Sequence, residues 1–254
     1  MKKTFRSLLN SEKKCFGTFV QLPCPEIVEI LGYCGYDFVI IDNEHSSMTT
    51  SETVDLIRMC DMTGMAALVR VPDISETEIK KALDMGPSGL VVPNVNNPED
   101  ARRVLELARY APLGKRGACP YVRANQYGSG PEDQYYAAAN DDIAIYLNLE
   151  SVEALEHLEE IIAMDGVDMV GIGIVDISVK IGAFGQMNHP ILEKARQDSV
   201  ALSRKYGKKS WYFATSTDAR EQWLASGADF CICTADAIML NDSFRRIKNH
   251  FLGD

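Results

Sequence analysis

Short apolar runs recur along the chain, each followed by a stretch whose apolar residues return every three or four positions. The runs are 17–22 (GTFVQL), 38–42 (FVIID), 66–71 (AALVRV), 89–93 (GLVVP), 143–149 (IAIYLNL), 168–173 (DMVGIG), 209–214 (KSWYFA) and 230–233 (FCIC). They are nearly continuous in β-branched and apolar residues, the pattern of parallel strands covered on both faces. The intervening stretches carry helix starts. Asn97-Pro98 places an N-cap before proline, and Ala101, Val104, Leu105 and Ala108 then line one face. Thr49 with Glu52 and Ser75 with Glu78 have capping-box spacing, while Pro25 and Ser151 open two further helices. Eight strand–helix pairs in 254 residues predict an α/β fold, a (β/α)8 TIM barrel running as one domain over 1–254. An open doubly wound sheet fits less well, because no GxGxxG follows the first strand. Residues 111–142 form the longest irregular stretch, which suggests a substrate lid or a subunit contact.

Composition narrows the class of function. A hydrophobic fraction of 46% and a charged fraction of 24% exclude collagen-like and largely disordered chains. The net charge of −10 argues against nucleic-acid or anionic-membrane partners. The basic start MKKTFRSLLNSEKK has no apolar core of the signal-peptide kind, and no run approaches 18 apolar residues. A cytoplasmic protein is expected. The seven cysteines show no zinc-type CxxC pair and read as structural thiols, Cys231 and Cys233 on one strand face.

Candidate chemistry sits where polar residues end apolar strands, since that end of such a barrel carries the reaction. The second run ends Asp42-Asn-Glu44-His45, the third at Arg70, the fifth at Asn148-Leu-Glu150, and the sixth enters Gly173-Ile-Val-Asp176. Glu150 and Asp176, from adjacent strands, could share a hard divalent cation with water and substrate oxygens, or could merely cap the following helices. Arg70 would be buried only with an anionic partner, either Glu44 or a substrate oxygen. His45, three residues after Asp42, is placed for an imidazole oriented by that carboxylate, with an ordinary loop histidine as the alternative.

Taken in order, the segments GYDFVIIDNEH (35–45), LVRVP (68–72), ALDMGPSGLVVPNV (82–95), RYAPLGKRG (109–117), LNLE (147–150) and GVDMVGIGIVDIS (166–178) make the chain resemble the HpcH/HpaI family of metal-dependent pyruvate aldolases, within the phosphoenolpyruvate/pyruvate barrels. The resemblance implies reversible cleavage of a 4-hydroxy-2-oxo acid to pyruvate and an aldehyde through a metal-stabilised enolate. It implies Glu150 and Asp176 as metal ligands for Mg²⁺, Mn²⁺ or Co²⁺, Arg70 on the keto oxygen, and His45 with Asp42 in the base role. It further implies Asn148 and the backbone of Gly173 and Val175 in substrate binding, and Arg123 on a far carboxylate of the aldehyde. The expected partner is a small 2-oxo acid, and the expected assembly is a homo-oligomer, a trimer or hexamer that exchanges its last helix. The chain departs from the family at Asn148, where glutamine is usual, and at Ile174, where the usual Gly-Pro-x-Asp turn has its proline and this chain reads Gly173-Ile-Val-Asp176. The alternatives are a metal-independent condensing enzyme that forms citrate from oxaloacetate, another carbon–carbon lyase, and a non-catalytic keto-acid-binding barrel.

Overall fold

The computed structural model describes residues 4–130, 132–216 and 218–253. Eight parallel strands alternate with helices: β1 (Cys15–Val20), β2 (Phe38–Asp42), β3 (Ala66–Arg70), β4 (Gly89–Val92), β5 (Ala144–Leu149), β6 (Met169–Ile172), β7 (Trp211–Ala214) and β8 (Phe230–Ala235). Their ladder order, β6-β5-β4-β3-β2-β1-β8-β7, is that of a nearly closed (β/α)8 barrel. The sequence boundaries agree within two residues: β1 lies two residues earlier than its run, β7 begins two residues later, and β8 runs on to Ala235.

The continuous apolar runs resolve into two cores, because successive side chains on a strand face opposite ways. Val39, Ile41, Val69, Leu90, Ile145, Leu147 and Val170 pack outward against the helices. Phe38, Ile40, Ala66, Leu68, Val91, Ala144, Tyr146, Phe230 and Ile232 fill the barrel. The short helix Phe5–Leu9, too brief to show periodicity, plugs the amino-terminal end: the Phe5 ring lies 5.3 Å from Phe38 and 5.3 Å from Phe230. Thr49 and Glu52 make a reciprocal capping box. Ser75 accepts from the Glu78 N–H while the Glu78 carboxylate turns to Lys81, so the second expected box forms by half. Asn97 and Ser151 accept from the first turns of their helices.

Between β6 and β7, which share no ladder among the described residues, the Trp211 indole donates to the Val170 carbonyl at 3.0 Å. Gly171 makes this seam possible, since a Cβ there would stand 2.4 Å from both the Trp211 ring and the Tyr146 hydroxyl. Trp211 thus crosses the barrel floor beneath the strand ends.

The stretch 111–142 departs from the sequence expectation. It holds a 3-10 segment at Arg123–Gly128 and a helix at Glu132–Asp142. Tyr110 packs against Tyr135 and Tyr136 with ring centroids 6.0 and 4.8 Å away, and Asn140 brackets the Tyr110 backbone with two hydrogen bonds. Arg123 binds the Met85 carbonyl, just before β4, so the segment docks at the amino-terminal end of the barrel. Its described residues form no lid over the carboxyl-terminal end within this chain.

Candidate active site at the carboxyl ends of the strands

β2 and β3 pair in register so that Asp42 lies beside Arg70. Both are buried. Arg70 donates through Nε to Asp42 Oδ1 at 2.9 Å and through Nη2 to Oδ2 at 2.7 Å, a bidentate fork. Its Nη1 stands 3.0 Å from Glu44 Oε2, close but outside hydrogen-bond geometry, which leaves that oxygen without a donor. The guanidinium also lies over the Phe19 ring, 4.7 Å from its centroid. Burial works against charge on both partners, yet the Arg70 hydrogen bonds hold the Asp42 carboxyl below its usual range and Asp42 and Glu44 hold Arg70 firmly protonated.

Asp42 does more than pair with Arg70. It accepts from Gln21 Nε2 at 2.9 Å and from the backbone N–H groups of Glu44 (3.1 Å) and His45 (3.2 Å). The sequence expectation that Asp42 orients the His45 imidazole is therefore corrected: Asp42 fixes the His45 backbone. The exposed imidazole points instead towards Glu44, with Nε2 3.6 Å from Oε2.

Glu150 is buried at the end of β5. Its Oε2 accepts from the Asn94 N–H at 3.1 Å and its Oε1 from Asn148 Nδ2 at 3.2 Å. Asn94 reaches it from a left-handed conformation, φ 55°, that asparagine tolerates. Gly173 closes over the Glu150 stem, where any Cβ would meet Cγ at 2.5 Å. Burial, then Glu44, then Asp176 push the Glu150 carboxyl up to about 7. Glu44 is raised by burial, with Asp42 and Asp176 adding to it and Arg70 opposing. Asp176 is exposed in the first turn of the helix Ile174–Lys180.

Of these side chains, Gln21, His45, Arg70, Asn148, Glu150 and Asp176 line one cavity of about 400 Å³. The donor set suits a hard divalent cation: oxygen ligands, and an excess of carboxylate that one arginine leaves uncompensated. Among the described residues no three His, Cys, Asp or Glu side chains form a complete cage, so Glu150 and Asp176 would supply part of a coordination sphere. Asn148 Oδ1 is buried without a partner beside them.

Of the residues anticipated from sequence, His45, Arg70, Asn148, Glu150, Gly173, Val175 and Asp176 line this cavity, and Asp42 lies directly behind Arg70. Arg123 does not join them. It pairs with Asp61 at 2.5 Å and lines a separate cavity with Gly86 and Tyr127. Gln21, Asn94 and Thr234 were not anticipated. Thr234 lines the cavity, is buried with its hydroxyl unpartnered, and has φ 45°. The cause is a bulge: Gly17 pairs with Ile232 but Phe19 with Ala235, so β8 carries one residue more than β1, and Thr18 Oγ1 secures it by donating to the Cys233 carbonyl at 2.8 Å. For a β-branched residue such a φ is an outlier, costing on the order of 1–3 kcal/mol.

Residues 15–241 match the family profile described as HpcH/HpaI aldolase/citrate lyase. The chain belongs to that family. It is 31% identical over 239 residues, 94% of each chain, to the hydroxypyruvate/pyruvate aldolase of Sagittula stellata. It is 30% identical over 248 residues, 97% of this chain and 96% of the other, to the 5-keto-4-deoxy-D-glucarate aldolase of Klebsiella pneumoniae. The crystal structure of an HpcH/HpaI aldolase/citrate lyase family protein from Burkholderia cenocepacia superposes with a TM-score of 0.90 at 28% identity over 96% of both chains. The strand ends that position Asp42, Arg70, Glu150 and Asp176 all lie inside the matched span.

Two predictions follow from this electrostatic arrangement. Removing the Arg70 side chain leaves Asp42 buried and unpaired, so Arg70→Ala costs about 3–5 kcal/mol in urea unfolding, and Arg70→Ala/Asp42→Asn recovers most of it. Equal losses in the single and double variants would show that the pair is not coupled. For Glu150, the unfolded chain ionises near pH 4.5 while the folded chain keeps its proton to about 7. The group's contribution to stability therefore falls as pH rises through that window and is constant above it. In chelator-treated protein, Glu150→Gln stabilises by roughly 2–3 kcal/mol at pH 8, with the gain shrinking towards zero near pH 4.5. A gain independent of pH would contradict the assignment.

Proposed function

We propose that this family member is a divalent-metal-dependent carbon–carbon lyase that cleaves a 4-hydroxy-2-oxo acid to pyruvate and an aldehyde, and runs the reverse aldol addition. The observation that carries the reading is a buried guanidinium locked by Asp42 and directed, with Glu150 and Asp176, into one cavity. Both curated relatives described above are named as aldolases.

In the cleavage direction the 4-hydroxyl loses its proton, the C3–C4 bond breaks, and the electron pair moves onto the 2-oxo oxygen. Arg70 hydrogen-bonds that oxygen through an Nη1 donor and stabilises the charge as it develops. Because Asp42 already fixes the fork, little reorganisation is needed during reaction. His45 takes the hydroxyl proton through a bound water and later returns a proton to C3 of the pyruvate enolate. Asp42 acts as a positioning residue for Arg70 and for the loop that carries His45. Backbone N–H groups of Ile174, Val175 and Asp176 in the turn after β6 hold the pyruvyl carboxylate; that of Gly173, expected among them from the sequence, already donates to the Leu149 carbonyl at 2.8 Å. Asn148 keeps Glu150 in place. Glu150 and Asp176 would hold Mg²⁺, Mn²⁺ or Co²⁺. When bound, that cation supplies Lewis-acid polarisation of the 2-oxo group.

The protein works as a homo-oligomer in the cytoplasm in this reading. Phe244, Ile247, Phe251 and Leu252, exposed on the last helix Asp236–Leu252, are the residues another copy would cover. No helix among the described residues is long and apolar enough to cross a membrane.

A coupled assay for pyruvate release from a panel of 4-hydroxy-2-oxo acids, with Mg²⁺ or Mn²⁺ and with EDTA, tests the proposal. Turnover should require the metal and fall at least about 100-fold in His45→Ala and in Arg70→Lys, which keeps the charge but not the fork. Turnover indifferent to EDTA, or activity confined to oxaloacetate with an acyl donor, would overturn it in favour of a condensing enzyme.

A further inference from the structure

The cavity lining has a polar and an apolar half. The apolar half is made of Phe19, whose ring also carries the Arg70 guanidinium, and of Trp211, Phe213, Ile172, Val175 and Ile238. Phe19 to Phe213 and Phe213 to Trp211 are each 6.1 Å between ring centroids, a continuous aromatic layer. Among the described residues lining the cavity, Arg70 is the one guanidinium or ammonium, and the reaction's own oxygen engages it. Arg123, the obvious candidate for a second anion, is held elsewhere by Asp61 and the Met85 carbonyl. Beyond the pyruvyl unit a further carboxylate or phosphate on the substrate would meet the aromatic rings, losing hydration without gaining a cationic side chain among the described residues of the lining.

Thr234 adds an independent observation. At φ 45° glycine would be unstrained, yet a β-branched residue is held there in the cavity wall, buried, its hydroxyl bonded to nothing among the described residues. Strain retained at a cavity wall points to a use for the side chain in that cavity.

We infer that the apolar half is the subsite for the part of the substrate beyond its pyruvyl unit, that it takes an uncharged alkyl or aryl group, and that Thr234 is a specificity-determining residue of that subsite. The inference rests on the aldolase reading above and deepens it. Aldehydes carrying a carboxylate or phosphate are poor partners, whereas those with a hydrocarbon substituent bury it against Phe19, Phe213 and Trp211.

The test compares 4-hydroxy-2-oxo acids of matched length, with a methyl-ended, a phenyl or a carboxylate-ended substituent at C4, using wild-type protein loaded with Mg²⁺. The uncharged members should exceed the carboxylate-ended one in kcat/KM by about 10-fold or more. Thr234→Gly, relieved of strain, should melt a few degrees higher and lose about 5-fold or more of that preference. Phe213→Ala, which leaves the Thr234 backbone unchanged, should reduce the phenyl member's kcat/KM more than the carboxylate-ended member's. Preference for the carboxylate-ended substrate, or a Thr234→Gly variant that gains stability with the substrate ratio unchanged, overturns the inference alone. Cleavage of no member by metal-loaded wild type overturns the aldolase reading and this inference with it.

Discussion

One buried ion pair organises the carboxyl-terminal face of this barrel. Asp42 and Arg70 face each other only because β2 and β3 pair in the register that sets their last residues side by side. Neither charge could stay there alone, since an isolated ion in such surroundings costs several kcal/mol. Together they satisfy each other, and the remaining capacity of each is directed outward. Asp42 gathers Gln21 and the backbone of Glu44 and His45, while Arg70 turns its free edge to Glu44 and the cavity. Of the two readings of Arg70 that sequence alone leaves open, the structural ion pair is present, with Asp42 rather than Glu44 as the partner of the fork; the proposed reaction asks the same guanidinium to serve as the functional cation.

The rest of the site is held in a state of unresolved charge. Burial first, and then the charges of Glu44 and Asp176, leave Glu150 holding its proton to about 7, and burial likewise raises Glu44. Such a cluster is costly to the folded chain and suits a site that gains a cation and an anionic substrate in use. The backbone shows the same economy of purpose. Asn94 takes a left-handed conformation to aim its N–H at Glu150, and Thr234 takes one at the β8 bulge. Beneath them the aromatic barrel filling, with Trp211 packed over Gly171, gives these groups a rigid floor.

Much of this was legible in the chain itself. Asp42, Arg70, Asn148 and Glu150 each end or interrupt an apolar strand, which is why their position marks them. Asp176 stands in the turn after β6 for the same reason. The paired strands could be counted because both faces are covered and the runs are apolar throughout. Other features could not be read. The five-residue helix Phe5–Leu9 is shorter than two turns and has no period to detect. Arg123 was misplaced because nothing local tells which end of the barrel a thirty-residue excursion will rejoin. Thr234 looks like an ordinary strand residue; only the register shift against β1 puts it at positive φ. The contact between Asp42 and the His45 backbone, in place of the imidazole, depends on a turn geometry that spacing does not specify.

The central claim is that this cavity stabilises the enolate of pyruvate, and it can be tested without knowing the aldehyde. Proton NMR of pyruvate in D2O, with Mg²⁺ and catalytic amounts of protein, reads C3 deuteration directly. The methyl signal should decay well above the protein-free rate with wild type, and EDTA or Arg70→Lys should stop the decay. A signal unchanged by folded, metal-loaded protein, or lost equally fast in Arg70→Lys, would contradict the account.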